Sequence, residues 1–270
     1  MEEKQTFAPK ELRQGALSAL AVEDWTHKVA AVQLLDDSLP VDPAIVLTDP
    51  GHLPGRPAKP ALVAPSELTT RPAGTPQGRA ALLHALAHIE FNAINLALDI
   101  VWRFPGLPAD FYRDWVSVAR EEASHFVLLN EHLATLGHGY GDFSAHNGLW
   151  DMAERTRDDV AARLALVPRI MEARGLDASP MIRDKLARVG DPRGAVILDI
   201  ILRDEIGHVA IGNRWYHWLC ADGSHDPVAW QAEMAQRYAA PRQRGPFNID
   251  ARRAAGFDES ELAALSAASS

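Results

Sequence analysis

Apolar residues recur at three- and four-residue steps over five long stretches of the chain, which is the period of an amphipathic α-helix. The five stretches cover residues 11–36, 76–104, 108–136, 150–180 and 192–220. The pattern predicts an all-α protein. We expect the last four stretches to form a four-helix bundle, with an extra N-terminal helix before it and irregular extensions around it.

Cap and breaker residues set the boundaries of these helices. Thr75-Pro76 and Asp191-Pro192 each place a capping side chain before a proline at the first helical position. In the third bundle helix, Pro168 predicts a kink, and Gly175 with Pro180 predicts the end.

A proline-rich stretch separates the first helix from the bundle. Nine prolines from residue 40 to residue 76 deny a regular helix there. Apolar residues such as Leu53 and Leu62 offer anchors, so we expect an ordered segment wrapped over the bundle, the alternative being a disordered linker. Three regions follow: an N-terminal helix and wrapping segment (1–75), the bundle (76–221), and a C-terminal helix and strap (222–270).

Two short motifs in the helices carry candidate chemistry. Glu122-Ala-Ser-His125 and Glu205-Ile-Gly-His208 are both Glu-x-x-His steps, and residues three apart share one face of an α-helix. A single glutamate, Glu90 or Glu172, precedes each motif, and the four positions are spaced by 32, 50 and 33 residues. Di-iron and di-manganese four-helix bundles use this ligand set, with a lone Glu on each of two helices and Glu-x-x-His on the other two.

Each candidate ligand has a structural alternative. The two motifs also fit polar pairs on solvated helix faces, although apolar residues flank both. Glu90 lies within an apolar stripe, where a carboxylate is costly unless it is paired or binds a metal, so a buried ion pair is the alternative there. Glu172 follows the predicted kink, and Asp158 and Asp159 on the same helix are its rivals.

The predicted centre binds two iron ions, with Mn/Fe or di-manganese as variants. We expect one metal ion on Glu90, Glu122 and His125 and the other on Glu172, Glu205 and His208, with Glu122 and Glu205 bridging.

An acidic residue precedes each motif glutamate. Metal-bound imidazoles usually donate their free N–H to a carboxylate or carbonyl. We therefore consider that Glu121 and Asp204 each accept a hydrogen bond from the histidine of the other helix. A salt bridge with Arg120, Arg174 or Arg203 is the alternative.

Four segments between Thr75 and Cys220 carry a family resemblance: His88-Ile-Glu90, Arg120 to Phe126, Met171 to Asp177, and Arg203 to His208. They resemble a bacterial family of ferritin-like proteins catalogued as domain-of-unknown-function family 455. The Glu-Ala-Arg around Glu172 is also similar to the third-helix motif of tRNA-hydroxylating di-iron monooxygenases, which favours Glu172 over its rivals. The resemblance implies a ferritin-like fold and a dinuclear metal site, without implying one reaction.

Composition indicates which classes of partner and which cellular compartment to expect. A formal charge of −9 argues against a broad nucleic-acid surface, although tRNA stays open as a partner. No apolar run approaches the ~18 residues of a membrane span, and the N-terminus lacks the regions of a secretory signal. The single cysteine, Cys220, indicates a reducing compartment. We expect a cytoplasmic protein without a membrane partner.

The function predicted from these residues is a di-iron carboxylate oxidoreductase that activates O₂ to hydroxylate or otherwise oxidise a small-molecule substrate. An external reductase or small reductant would supply electrons, because no Gly-x-Gly-x-x-Gly fingerprint is present. The alternatives are ferritin-like peroxide or iron handling and non-catalytic metal binding. The C-terminal arginines 242, 244, 252 and 253 form either a cationic strap for an anionic substrate or a solvated tail.

Overall fold

The computed structural model describes residues 9–36 and 38–267, and its regular elements there are all helical. The prediction of an all-α bundle is confirmed. The α-helices are Leu12–Leu20 (α1), Trp25–Gln33 (α2), Pro76–Arg103 (α3), Ala109–Thr135 (α4), Gly148–Arg155 (α5), Val160–Leu166 (α6), Ala173–Arg188 (α7), Pro192–Gly223 (α8), Pro227–Arg237 (α9), Ile249–Ala254 (α10) and Glu259–Ala267 (α11). A π-helical turn, Val167–Glu172, joins α6 to α7.

Four long helical segments form the bundle. Helix α3 packs along α4, α4 packs against α8, and α8 packs along the third segment, which consists of α6, the π turn and α7. The N-caps predicted from the sequence are present: Thr75 accepts a hydrogen bond from the backbone N–H of Gly78 (3.0 Å), and Asp191 accepts one from Gly194 (2.9 Å). These caps satisfy N–H groups that a helix start leaves free.

The N-terminal stretch predicted as one helix over residues 11–36 is two helices, so that prediction is wrong. Asp24 caps α2 by accepting a hydrogen bond from the backbone N–H of His27 (2.9 Å). At the end of α1, the Leu20 carbonyl accepts hydrogen bonds from Lys28 Nζ (2.8 Å) and from the backbone N–H of Gly55 (2.9 Å). The break is stable because these donors satisfy a carbonyl that the helix no longer bonds.

The proline-rich segment is ordered and follows the surface of the bundle. Its only regular element among residues 38–75 is a short 3₁₀ turn, Pro65–Glu67. Backbone hydrogen bonds hold it in place: Val63 donates to the carbonyl of Ala145 (2.9 Å), and Ala145 donates to the carbonyl of Ala61 (3.0 Å). These hydrogen bonds attach the proline-rich segment to the loop that precedes α5.

The third bundle segment departs from the prediction at its start. The predicted helix beginning near Trp150 is interrupted, because α5 ends at Arg155 and a new helix starts at Val160. Asp159 caps that new helix by accepting a hydrogen bond from the backbone N–H of Ala162 (2.9 Å). Pro168 lies inside the π turn rather than at a simple kink.

Pro180 does not end this segment, so that prediction is wrong as well. Helix α7 continues through Pro180 to Arg188. Proline lacks the N–H that would bond the carbonyl four residues earlier. The side chain of Asn248 donates to that carbonyl, on Leu176, instead (3.2 Å), and the helix therefore tolerates the proline.

One helix of the described chain, α3, is long and apolar enough by length and composition to cross a membrane. Of its most apolar 18-residue window, 78% is buried inside the protein. This burial is typical of the central helix of a bundle, so α3 is weak evidence for a membrane span.

The C-terminal region covers the outer side of the third segment and α8. It consists of α9, an irregular strap (residues 238–248, the C-terminal strap), α10 and α11. Helix α9 packs against α6, and α10 packs against α7 and α8.

Candidate metal centre

We call the six predicted ligands the carboxylate–histidine cluster: Glu90, Glu122, His125, Glu172, Glu205 and His208. All of them except Glu172 meet in the middle of the bundle. One ligand atom from each of Glu90, Glu122, His125 and Glu205 lies within 4.8 Å of the others. All four residues are at least nine-tenths buried. Helices α3, α4 and α8 therefore bring three carboxylates and an imidazole to one point.

Both histidines direct the same ring nitrogen into the cluster. His125 Nδ1 lies 3.3 Å from Glu122 Oε2 and 3.5 Å from Glu90 Oε2. His208 Nδ1 lies 3.0 Å from Glu122 Oε1 and 3.3 Å from Glu205 Oε1. The two oxygens of Glu122 thus face different histidines, which places this carboxylate between the two halves of the cluster.

The opposite ring nitrogens bind the acidic residues that precede the motifs. His125 Nε2 lies 3.1 Å from Asp204, and His208 Nε2 lies 2.8 Å from Glu121. The crossed hydrogen bonds considered from the sequence are therefore present, and Asp204 also accepts the alternative partner, Arg203 (2.8 Å). The hydrogen bond from His208 lowers the pKa of Glu121, and those from Arg203 and then His125 lower the pKa of Asp204.

Protonation inside the cluster follows from burial. Burial and the negative charge of Glu122 raise the pKa of Glu90 to about 8. Burial and the charge of Glu205 raise the pKa of Glu172 well above its ordinary value. Burial opposes a charge on His125, but the hydrogen bonds and charges of Glu122 and Glu90 raise its pKa to about 11. The metal-free cluster therefore holds protons that compete with a cation for the same atoms.

The donor set fits a pair of divalent metal ions. Carboxylate oxygens and imidazole nitrogens suit iron and manganese, and Glu90 Oε2 is buried with only a long contact, 3.5 Å, to His125 Nδ1. Carboxylates buried together are costly unless protons or cations neutralise them. A metal ion at each Nδ1 atom would satisfy Glu90 and leave both crossed hydrogen bonds intact.

Glu172 is the least regular member of the cluster. It is the last residue of the π turn, and it keeps partial solvent exposure although protein surrounds its carboxyl group. Charges on Glu205, Glu122 and His208 act on its pKa. One helical turn further on, a Cβ added to Gly175 would lie 4.0 Å from Glu205 Oε2, so this part of the third segment faces α8. Its rivals lie elsewhere: Asp159 caps α6, and Asp158 is exposed.

The π turn itself was missed by sequence reasoning, which predicted only a kink. The turn packs tightly on α8, because a Cβ added to Gly212 would lie 2.6 Å from Pro168 Cβ. A proline in one helix and a glycine in its neighbour are compatible with such a contact. Neither residue by itself indicates a π turn, which depends on the register of the backbone.

The C-terminal arginines do not form one cluster. Arg252 is fully buried, and it forms a salt bridge with Asp177 (2.7 Å). Arg253 pairs with Glu259 (2.6 Å) at the surface, and arginines 242 and 244 are exposed. The segment is therefore packed against the protein rather than a solvated tail.

Comparison with known proteins places the chain among relatives without an assigned activity. Residues 16–263 match the family described as "Protein of unknown function (DUF455)". An uncharacterised protein of Haemophilus influenzae (strain KW20 / Rd) is 51% identical over 227 residues, which cover 82% of this chain and 78% of that protein. No solved structure matches the chain.

Proposed function

The chain belongs to the DUF455 family of proteins of unknown function, and from this premise we propose that it is a dinuclear metal protein with a ferritin-like bundle. The proposed activity is that of a di-iron carboxylate oxidoreductase, which uses O₂ to hydroxylate or otherwise oxidise a small molecule. Manganese in one or both positions is the variant. The buried cluster could bind metal, and the metal identity and the reaction belong to the proposal.

One observation carries the proposal. Two histidines from Glu-x-x-His motifs aim Nδ1 at shared buried carboxylates, while each Nε2 is held by an acidic residue of the opposite helix. Solvated polar pairs would not be buried, and a simple buried ion pair would not need two histidines in matching orientation. Fixing the outer nitrogen in this way sets the tautomer and orientation of a metal-binding imidazole.

The residues of the chain have separable roles in this proposal. Glu90, Glu122 and His125 hold one metal ion, and the three remaining members of the cluster hold the other. When bound, the metal pair supplies redox chemistry with O₂. Asp204 and Glu121 keep a proton on each outer histidine nitrogen, and the apolar bundle around the cluster limits access of water. Electrons come from a separate reductase or small reductant, and a single buried cysteine fits a cytoplasmic location.

A second candidate function is peroxide or iron handling without an organic substrate. Two cavities are described, of about 680 Å³ and about 230 Å³, and neither is lined by a member of the cluster. The candidate rests on the burial of the cluster, in which Glu122 and His208 are each 2% exposed, because peroxide and ferrous ions are small. The similarity of the Glu172 segment to tRNA-hydroxylating enzymes makes tRNA a further substrate to test, against the net charge of −9.

The decisive experiment measures metal bound after reconstitution with ferrous iron. We expect about two metal ions per chain in the wild-type protein, with an ultraviolet band of an oxo-bridged di-iron pair after exposure to air. The double variant Glu122→Ala, Glu205→Ala should lose most of both signals, because it removes the two carboxylates that we expect to bridge the metal ions. The matched control is Glu131→Ala, which removes an exposed glutamate of α4.

Metal below about one ion per chain, unchanged in the double variant, would contradict the proposal. Oxygen uptake by the reduced, iron-loaded protein then separates an oxidoreductase from a non-catalytic metal-binding protein. Peroxide consumption without any added organic substrate would favour the second candidate over the first.

A further inference from the structure

A second site lies outside the bundle, between the π turn and the C-terminal region. A cavity of about 680 Å³ is bounded by the π turn, α9, the C-terminal strap, α10 and α11. We call it the strap cavity and define it by Arg169, Ile170, Ala235, Arg242, Arg252 and Phe257, which line it. Its volume is that of small-molecule sites, which lie between about 300 and 1,000 Å³.

The walls of the strap cavity are mainly small and apolar. Alanines from α9 and α11, together with Ile170, Val228 and Phe257, supply most of the surface. The polar groups are the amides of three glutamines, the guanidinium groups of three arginines and a single carboxylate, Glu261, so positive groups outnumber negative ones. A ligand for such a cavity has an apolar body and a polar end.

The carboxylate in the cavity wall already has hydrogen-bond partners within the protein. Glu261 accepts hydrogen bonds from Arg169 and from the backbone N–H of Asp258 (2.9 Å), and it lies 3.0 Å from His217. Burial opposes its ionisation, but His217 and Arg169 lower its pKa to about 2. Arg169 is satisfied in turn by Glu261, Gln231 and Asn213. This pair is therefore a structural part of the wall with no free charge.

Unlike Arg169, Arg252 has one guanidinium nitrogen without a hydrogen-bond partner. Its Nε and Nη2 atoms bind Asp177 (3.0 and 2.7 Å), and Nη2 also contacts the carbonyl of Ala173 (3.3 Å). Its Nη1 is buried and has no hydrogen-bond partner. A buried unpaired donor is costly, and more so if it is charged, and such groups call for a partner. Arg242 adds a second cation to the cavity lining, on an exposed residue.

We propose that the strap cavity binds a small organic anion, a carboxylate or phosphate attached to an apolar body. The anion pairs with the guanidinium groups of Arg252 and Arg242, which both line the cavity, since guanidinium groups match both head groups. The apolar body lies against the alanines of α9 and Phe257. The site does not rest on the proposed metal chemistry, although it adjoins the π turn that carries Glu172.

The test titrates octanoate into the metal-free, full-length protein by calorimetry, with ligand-observed NMR for weak binding. Octyl phosphate, octan-1-ol and octylammonium are titrated in parallel. We expect the two anions to bind at least about tenfold more tightly than the alcohol or the ammonium ion, because hydrogen bonds between ionised groups are stronger than neutral ones. The tighter of the two anions identifies the head group.

Two variants with matched controls locate the site. Arg242→Gln should weaken octanoate binding about tenfold, whereas Arg244→Gln, which removes an exposed charge from the same strap but does not line the cavity, should not. Ala235→Trp should abolish binding by filling the cavity, whereas Ala229→Trp places the same side chain on an exposed position of α9. Arg252 is left intact because its buried salt bridge supports the fold.

No detectable octanoate or octyl phosphate binding, equal binding of octan-1-ol, or equal effects of each variant and its control would overturn the proposal. Because the titration contains no metal, loss of this site and loss of the metal centre are separate results.

Discussion

The candidate metal centre has two halves that use the same residue types on helices of different regularity. In the first half, Glu90, Glu122 and His125 lie on the uninterrupted helices α3 and α4. In the second half, Glu205 and His208 lie on the regular helix α8, but Glu172 ends a π turn. Glu90 is only 5% exposed, whereas Glu172 keeps partial exposure.

This difference indicates that one half is rigid and the other can adjust. A π turn widens the helix by one residue, and such turns occur frequently at functional sites because they place a side chain where regular helix would not. Glu172 lies beside irregular backbone and keeps partial exposure as a residue, so among the predicted ligands it can move with least disturbance to the bundle. We therefore expect substrate or small reactants to approach from the Glu172 side.

The largest expected effect concerns the acidic residues that hold the two histidines. Asp204→Asn and Glu121→Gln should each weaken metal binding about 10–100-fold, the range found when such hydrogen-bond partners are removed. We expect the larger loss for Asp204, which orients the histidine of the rigid half. Its side chain is 22% exposed against 51% for Glu121, so water replaces it less well. Competition with a chelator measures both affinities.

Exposed acidic residues on the same helices serve as controls for these variants. Asp199→Asn on α8 and Glu131→Gln on α4 change the charge equally, away from the cluster. If they weaken metal binding as much as the two test variants, the effect is one of net charge, and the crossed hydrogen bonds have no specific role.

A smaller effect should distinguish the two halves of the metal centre, because only the second half includes the π turn. In Gly212→Ala, the new Cβ would lie 2.6 Å from Pro168 Cβ, so the π turn must shift. We expect a loss of about 1–3 kcal/mol in the free energy of unfolding from overpacking, and weaker binding of the second metal ion with the first unchanged. Urea denaturation and metal titration check the two effects.

Gly207→Ala is the matched control, since a Cβ at this position of α8 meets no atom within 4 Å. It should leave stability unchanged or raise it by up to about 1 kcal/mol, as expected for alanine replacing glycine within a helix. Equal loss of both metal ions in Gly212→Ala would contradict the view that the halves differ in rigidity.

The same contrast explains how much of the molecule the sequence could predict. The period of apolar residues and the caps at Thr75 and Asp191 located three of the four bundle helices, because these signals are local. The spacing of the Glu-x-x-His motifs then brought five of the six predicted ligands to regular helix positions. The hydrogen bond from each histidine to an acidic residue of the opposite helix could also be predicted. Helical periodicity indicates which residues of one helix face its neighbour.

Features that depend on tertiary contacts were not predictable in this way. The helix continues through Pro180 because Asn248, far away in sequence, satisfies the carbonyl that the proline leaves free. The apolar period continues across the break between α1 and α2, so the period does not reveal the break. The break is stabilised by a donor from the proline-rich segment, the backbone N–H of Gly55. Local patterns carry no information about such distant partners.

The smallest expected effect is a pH dependence of stability to which Glu90, in the first half, contributes. The pKa of Glu90 is raised from an ordinary 4.5 to about 8 in the folded protein. Its contribution to stability is therefore fully present below pH 4.5 and is lost as the pH rises through 8, because the folded protein must then ionise a buried carboxyl group. The pKa of His125 is raised from its ordinary 6.5 to about 11. Its contribution to stability is therefore also lost as the pH rises, from pH 6.5 upward.

We therefore expect the metal-free protein to lose stability between pH 4.5 and pH 8, as measured by urea unfolding. The Glu90→Gln variant should show a flatter pH profile, because glutamine does not titrate. Metal affinity should change in the opposite direction and increase with pH, since the metal ions displace the same protons. A wild-type profile as flat as that of Glu90→Gln would show that Glu90 is ionised in the metal-free protein, and the rigid half would then not store a proton.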